Sequence, residues 1–159
     1  VNDRVRFDQP PHPDQLVLSF VDLDRPAPPP HAGSPKLRLA DRADIENAVA
    51  FGRAENRDRL LVHCNAGVGR STAVALAIIA DKLGPGRERE ALDELLRLRP
   101  QAIPNLHVLA LADDVLGRGG ELVRVVRDWD EARPENAQHR SYNRLANFIF
   151  EGIDLGPDE

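Results

Sequence analysis

The segment that most constrains this chain runs from Arg59 to Gly86. Arg59-Leu60-Leu61-Val62-His63 is a compact apolar run ending at Cys64. A short loop, Asn65 to Gly69, carries glycines at 67 and 69, and Arg70 to Leu83 then reads as a buried helix stopped by Gly84-Pro85-Gly86. This pattern predicts a buried strand that turns tightly into a helix. A second short strand is predicted at Gln15-Leu16-Val17-Leu18-Ser19-Phe20-Val21, bounded by Pro13 and by the turn residues from Asp22 to Pro26. Five prolines and Gly33 between Asp22 and Pro35 exclude helix and central strand there, so that segment must be a surface loop.

The remaining pattern is helical. Asp41 or Asp44 can cap a helix running to about Asn56, with Ile45, Ala48, Val49 and Ala54 on its apolar stripe. Amphipathic helices follow over Glu88 to Leu98 and Leu106 to Leu116, and a further one over Glu121 to Trp129. Residues 1–14, with the Pro10-Pro11-His12-Pro13 cluster, read as an irregular lead-in. Residues 131–159 are polar, with an apolar patch at Leu145 to Ile149, and are expected to be weakly ordered or docked.

Composition narrows the function classes. A chain of 159 residues is enough for one domain and too short for two. The 21 basic against 26 acidic residues are interspersed, with a net charge of −5, which argues against a nucleic-acid partner. The longest apolar stretch, Ala73 to Ala80, is far too short to span a membrane. Cys64 is the only cysteine, and the histidines at 12, 31, 63, 107 and 139 lack ligand spacing. Neither a disulfide nor a metal site is therefore expected, and a reducing, cytoplasmic setting fits best. Because the sequence starts at Val1 and contains no Met, a missing true start is also expected.

The loop from His63 to Thr72 has what an oxyanion cradle requires. Gly67 and Gly69 let the backbone curl so that successive N–H groups face inward, and the start of the helix adds free N–H groups and a positive dipole end. Arg70 returns to the mouth of the loop, where its planar guanidinium can grip two phosphate oxygens. A cysteine at the base of such a loop is drawn toward thiolate and becomes a nucleophile.

These residues, His63-Cys64-Asn65-Ala66-Gly67-Val68-Gly69-Arg70-Ser71, resemble the His-Cys-x-x-Gly-x-x-Arg-Ser/Thr signature of the cysteine-dependent protein tyrosine and dual-specificity phosphatases. Every specified position matches. The resemblance implies an α/β fold of the phosphotyrosine phosphatase II type, with a small central, mostly parallel sheet flanked by helices. It places the phosphatase domain over residues 1–118, with 119–159 as a C-terminal helical or weakly ordered extension. It further implies that Cys64 attacks phosphorus, that Arg70 and the loop residues Asn65, Ala66, Gly67, Val68 and Gly69 bind the phosphate, and that Ser71 helps the sulfur leave. His63 supports the thiolate, and no metal or other cofactor is needed.

The family's general acid is an Asp on a loop upstream of the cysteine. Asp22 and Asp24 are the candidates, and Asp22 is favoured because it follows a strand and has Pro26 four residues on. Arg99-Pro100 followed by Pro104-Asn105 resembles the segment in which an Asn braces the phosphate loop; a plain turn is the other reading of it. The short chain points to the compact dual-specificity or bacterial tyrosine-phosphatase-like type, and the uncharged positions 65, 66, 68 and 69 point to a phosphoprotein or small aryl phosphate. A phosphate-binding module that has lost turnover, a phosphatase of non-protein monoesters, and a sulfur-transfer or arsenate-reducing protein are the alternatives.

Overall fold

A computed structural model of the chain describes residues 14–27, 31, 33–54 and 59–150. Most of the irregular lead-in, part of the proline-rich loop, the end expected for the first helix and the last residues of the tail lie outside these. The order of elements is a 3₁₀ turn at Pro35–Leu37 followed by six helices: α1 Arg42–Arg53, α2 Arg70–Leu83, α3 Glu88–Leu98, α4 Leu106–Leu116, α5 Glu121–Glu131 and α6 Pro134–Phe150.

Local chemistry explains the helix boundaries. Asp41 caps α1 in a reciprocal box: its carboxylate accepts from the Asp44 N–H at 3.0 Å, and the Asp44 carboxylate accepts from the Asp41 N–H at 2.9 Å. Ile45, Ala48, Val49 and Gly52 are buried at helical spacing, whereas Ala54 lies just past the helix end and is exposed. α2 ends at Gly84, whose φ of 90° only glycine adopts readily. Asn105 caps α4 by accepting from the Val108 N–H at 3.0 Å. Asp113, near the end of α4, accepts from Leu122 and Val123 at the start of α5, at 2.9 and 3.1 Å, and so joins the two helices.

α2 is the central helix. It packs against α1, α3 and α4, and α5 closes over α3 and α4. Leu76 and Ala73 of α2 meet Ile45, Leu92, Leu109, Leu122 and Val126 in one core. A second, smaller cluster joins Leu23, Ala27 and Leu37 to Phe148 of α6. The polar tail is therefore a docked helix as far as Phe150, anchored by an aromatic ring that is 1% exposed.

The expected α/β fold is not what the chain forms. Among the described residues there is no strand and no sheet, and the architecture is all-helical. The two segments expected as strands are extended, and their side chains do alternate. Leu16, Leu18, Phe20, Leu60 and Val62 turn toward the core, while Val17 is 62% and Leu61 83% exposed. What they lack is a ladder. The Phe20 carbonyl accepts from the Arg70 side chain, and the Val21 N–H donates to the Arg38 carbonyl. Alternation records which side of an extended chain is buried; a sheet also requires a neighbouring backbone in register.

Candidate active site

Cys64 lies at the end of an extended segment and Arg70 at the first turn of α2, so the loop between them is stretched across the helix start. Gly67 has a φ of 67°, in the left-handed region, and this turns its N–H back onto the Cys64 sulfur at 3.2 Å. The Ser71 hydroxyl lies 3.2 Å from the same sulfur. No side chain caps the start of α2, where Gly69 occupies the N-cap, so its first amide groups remain oriented for an anion.

The carbonyls of the loop are held from outside. Arg99 donates to the Gly67 carbonyl at 3.0 Å and the Ala66 carbonyl at 3.5 Å. The Ile103 N–H reaches the Val68 carbonyl at 3.0 Å, and the Asn105 N–H reaches the Gly69 carbonyl at 3.2 Å. The Thr72 hydroxyl also donates to the Val68 and Gly69 carbonyls. With four consecutive C=O groups engaged on one side, the loop keeps the curl that the cradle needs.

The electrostatics favour a thiolate. Burial alone would push the Cys64 thiol up, but hydrogen bonds from the Ser71 hydroxyl and backbone, the Gly67 N–H and the charge of Arg70 together bring it below the ordinary thiol value. Arg70 Nη1 donates to the Phe20 carbonyl at 2.9 Å, which ties the extended segment before Asp22 to the loop.

The two candidate aspartates have different surroundings. Both carboxylate oxygens of Asp22 lie against the bare Cα of Gly69, so close that a Cβ there would be 2.3 Å from Oδ2. Its Oδ1 accepts from Asn105 Nδ2 at 2.8 Å. Asp24 faces elsewhere: Oδ1 accepts from the Leu106 N–H at 2.6 Å, at the start of α4, and Oδ2 pairs with Arg140 at 3.3 Å. Cys64, Arg70, Ser71, Asp22 and Asn105 thus converge on one loop. His63, Asn65 and Ala66 are exposed, and Gly67 and Val68 are partly covered.

A groove of about 510 Å³ opens beside Cys64, walled by Leu60, Ile79, Leu95 and Leu98, with Asn65 and Arg99 at the loop. Among the described residues, no three His, Cys, Asp or Glu side chains come together as a metal site requires, and no helix is long and apolar enough to cross a membrane.

Sequence reasoning assigned no role to Arg99, Arg140, Asn143 or Asn147. Asn143 and Asn147 both donate to the Asp22 carbonyl, at 3.1 and 3.2 Å. The available signal was the spacing of 140, 143 and 147, which places three polar side chains on one face of a helix. Set beside known protein families, curated proteins and solved structures, the chain matches none of them, so the resemblance to cysteine-dependent phosphatases is carried by the loop residues themselves.

Proposed function

We propose that the chain is a phosphoric monoester hydrolase of the cysteine-dependent type, working through a cysteinyl-phosphate. The observation that carries this reading is the Cys64 sulfur. It is held by the Gly67 N–H and the Ser71 hydroxyl at the uncapped start of α2, with its thiol drawn below the ordinary range. The reading rests on that site rather than on the fold, because one constellation of reacting groups can be mounted on unrelated architectures.

In the first step the Cys64 thiolate attacks phosphorus in line and the ester P–O bond breaks. The departing oxygen takes its electron pair together with the proton of Asp22, whose Oδ1 is held by Asn105. The loop amides and Arg70 stabilise the charge on the equatorial oxygens. In the second step Asp22, now a carboxylate, takes a proton from water as the water oxygen attacks phosphorus, and the P–S bond breaks to return the thiolate. The Ser71 hydroxyl, 3.2 Å from the sulfur, stabilises that leaving thiolate.

The loop positions Asn65, Ala66, Val68 and Gly69 carry no charge, and the adjoining groove is mostly apolar. Both features favour a phosphoprotein or small aryl phosphate over a highly anionic substrate. A reducing, cytoplasmic setting goes with a nucleophile that is the chain's only cysteine.

The test is phosphate release from para-nitrophenyl phosphate in the presence of chelator, comparing the protein with Cys64→Ser. Turnover that the substitution abolishes is the expected result. Retained binding of phosphate analogues without turnover would replace this reading with that of a phosphate-binding module.

A further inference from the structure

Residues 22–27, which carry Asp22, form an irregular segment held at several points: the Val21 N–H donates to the Arg38 carbonyl, Leu23 and Ala27 pack with Leu37 of the 3₁₀ turn, and the Asp24 carboxylate accepts from the Leu106 N–H. Further supports come from α6, the helix that lies outside the resemblance. Asn143 and Asn147 sit one turn apart on the same face, and each donates its side-chain N–H to the Asp22 carbonyl, at 3.1 and 3.2 Å. Two donors satisfy both lone pairs of that oxygen. Asn147 also donates to the Asn143 carbonyl at 2.8 Å, which restrains its own rotamer.

One turn earlier on α6, Arg140 donates to the Pro104 carbonyl at 3.0 Å and pairs with Asp24 at 3.3 Å, while Asp130 holds its guanidinium from the other side at 2.9 Å. Phe148, the residue after Asn147, packs against Leu23, Ala27 and Leu37. Residues of α6 from Arg140 to Phe148 therefore grip residues 22–27. The Asp22 side chain points away from this grip, toward Asn105 and Gly69. A carboxylate mounted on a clamped peptide, with its far end hydrogen-bonded, has little freedom to leave the loop.

We infer that α6 is a clamp for the proton-donating loop, and that Asn143 and Asn147 are positioning residues that set where the Asp22 carboxylate stands. This inference rests on the proposed hydrolase reading. Asp22 serves both steps, as acid toward the leaving oxygen and then as base toward water, but only the first step depends on the leaving group; the Cys64 sulfur and its partners Gly67 and Ser71 lie on α2 and its approach and make no bond to α6.

The experiment compares the full chain with Asn143→Ala/Asn147→Ala on two substrates. One is phosphotyrosine, whose phenol has a pKa of about 10 and needs protonation to leave. The other is para-nitrophenyl phosphate, whose phenol is far more acidic. The expected result, read in kcat/KM, which reports the steps through formation of the cysteinyl-phosphate, is a loss about tenfold or more larger on phosphotyrosine, in the direction that Asp22→Ala also takes, since proton donation matters most for poor leaving groups. The rate of Cys64 alkylation by iodoacetate, and its pH dependence, should stay those of the unsubstituted protein. In an Asp22→Ala background the two asparagine substitutions should add no further loss.

Equal losses in kcat/KM on both substrates, or no loss on either, would overturn the clamp while leaving the hydrolase reading intact. Absence of Cys64-dependent turnover in the unsubstituted protein would overturn the hydrolase reading, and the clamp with it. If the double variant does not fold, the single Asn143→Ala, which keeps one donor on the Asp22 carbonyl, serves in its place. Its selective loss on phosphotyrosine should then be smaller but in the same direction, and an unselective effect overturns the clamp.

Discussion

Replacing Gly69 with alanine isolates the relation between the loop and the candidate acid. The backbone at Gly69 has a φ of −100°, which any residue adopts, so the added methyl brings no conformational strain. Its cost is steric and local. The new Cβ would lie 2.3 Å from Asp22 Oδ2, 2.7 Å from Oδ1 and 2.8 Å from Cγ. Ordinary contact distances oblige the carboxylate to retreat by about 1 Å, a displacement of the size that costs on the order of 10²-fold in rate when a reacting group is misplaced. Its bond to Asn105 at 2.8 Å is lost in the same movement. The full contribution of a general acid, about 10² to 10⁴-fold or roughly 3 to 5 kcal/mol, sets the upper limit.

Steady-state turnover of phosphotyrosine by Gly69→Ala, Asp22→Ala and the double variant measures this directly. The two losses should not multiply, because both remove the same proton donor. A Gly69→Ala protein with undiminished turnover would refute the placement of the acid. A further large loss on adding Gly69→Ala to Asp22→Ala would show that the methyl damages the phosphate cradle instead.

Three other outcomes are expected. Although burial works against a charged sulfur, the Ser71 hydroxyl is the foremost of the groups that lower the Cys64 thiol. Ser71→Ala should therefore move the rise of iodoacetamide reactivity to higher pH, whereas in the unsubstituted protein reactivity persists to lower pH and disappears only as the thiolate is protonated. Asp24→Ala removes the acceptor for the Leu106 N–H and a partner of Arg140, so it should lower the urea midpoint by an amount equivalent to about 1–2 kcal/mol while the acidic group still shows in the pH–rate profile. Gly52→Ala would put a Cβ 2.8 Å from Ile78 Cγ2 in the packed α1–α2 contact. Overpacking of about 1–3 kcal/mol should outweigh the gain of up to about 1 kcal/mol in helix propensity and lower the thermal midpoint.

The helices were legible where punctuation and periodicity agreed. Gly84-Pro85-Gly86 ends α2, Asn105 starts α4, and the stripe of Ile45, Ala48 and Val49 lies on the buried face of α1. The sheet was misread because residues 15–21 and 59–63 show the alternation of a half-buried extended chain, and nothing within either segment reports whether another backbone lies alongside it. Cys64 and Arg70 stood out through their places at the two ends of a glycine-bearing loop before a helix, and Ser71 through the resemblance. The choice between Asp22 and Asp24 rested on order along the chain; the structure separates them spatially, one on Gly69 and the other on the Leu106 N–H. Residues 131–159 read as either weakly ordered or docked, and patterning left the two open because it counts apolar faces, whereas much of what attaches α6 is polar: Arg140, Asn143 and Asn147.

The bonds from α6 to the Asp22 peptide join residues 121 and 125 positions apart, which gives the protein a history as well as a geometry. At about 5–20 residues per second, a ribosome makes Asp22 and then Cys64 well before it makes Asn143. For several seconds the nascent chain holds Cys64 and the loop around it, with Asn105 to receive the Asp22 carboxylate, but not the two asparagines that hold the Asp22 peptide. On the proposed hydrolase reading, the placement of the proton donor is thus the last part of the site that the growing chain completes.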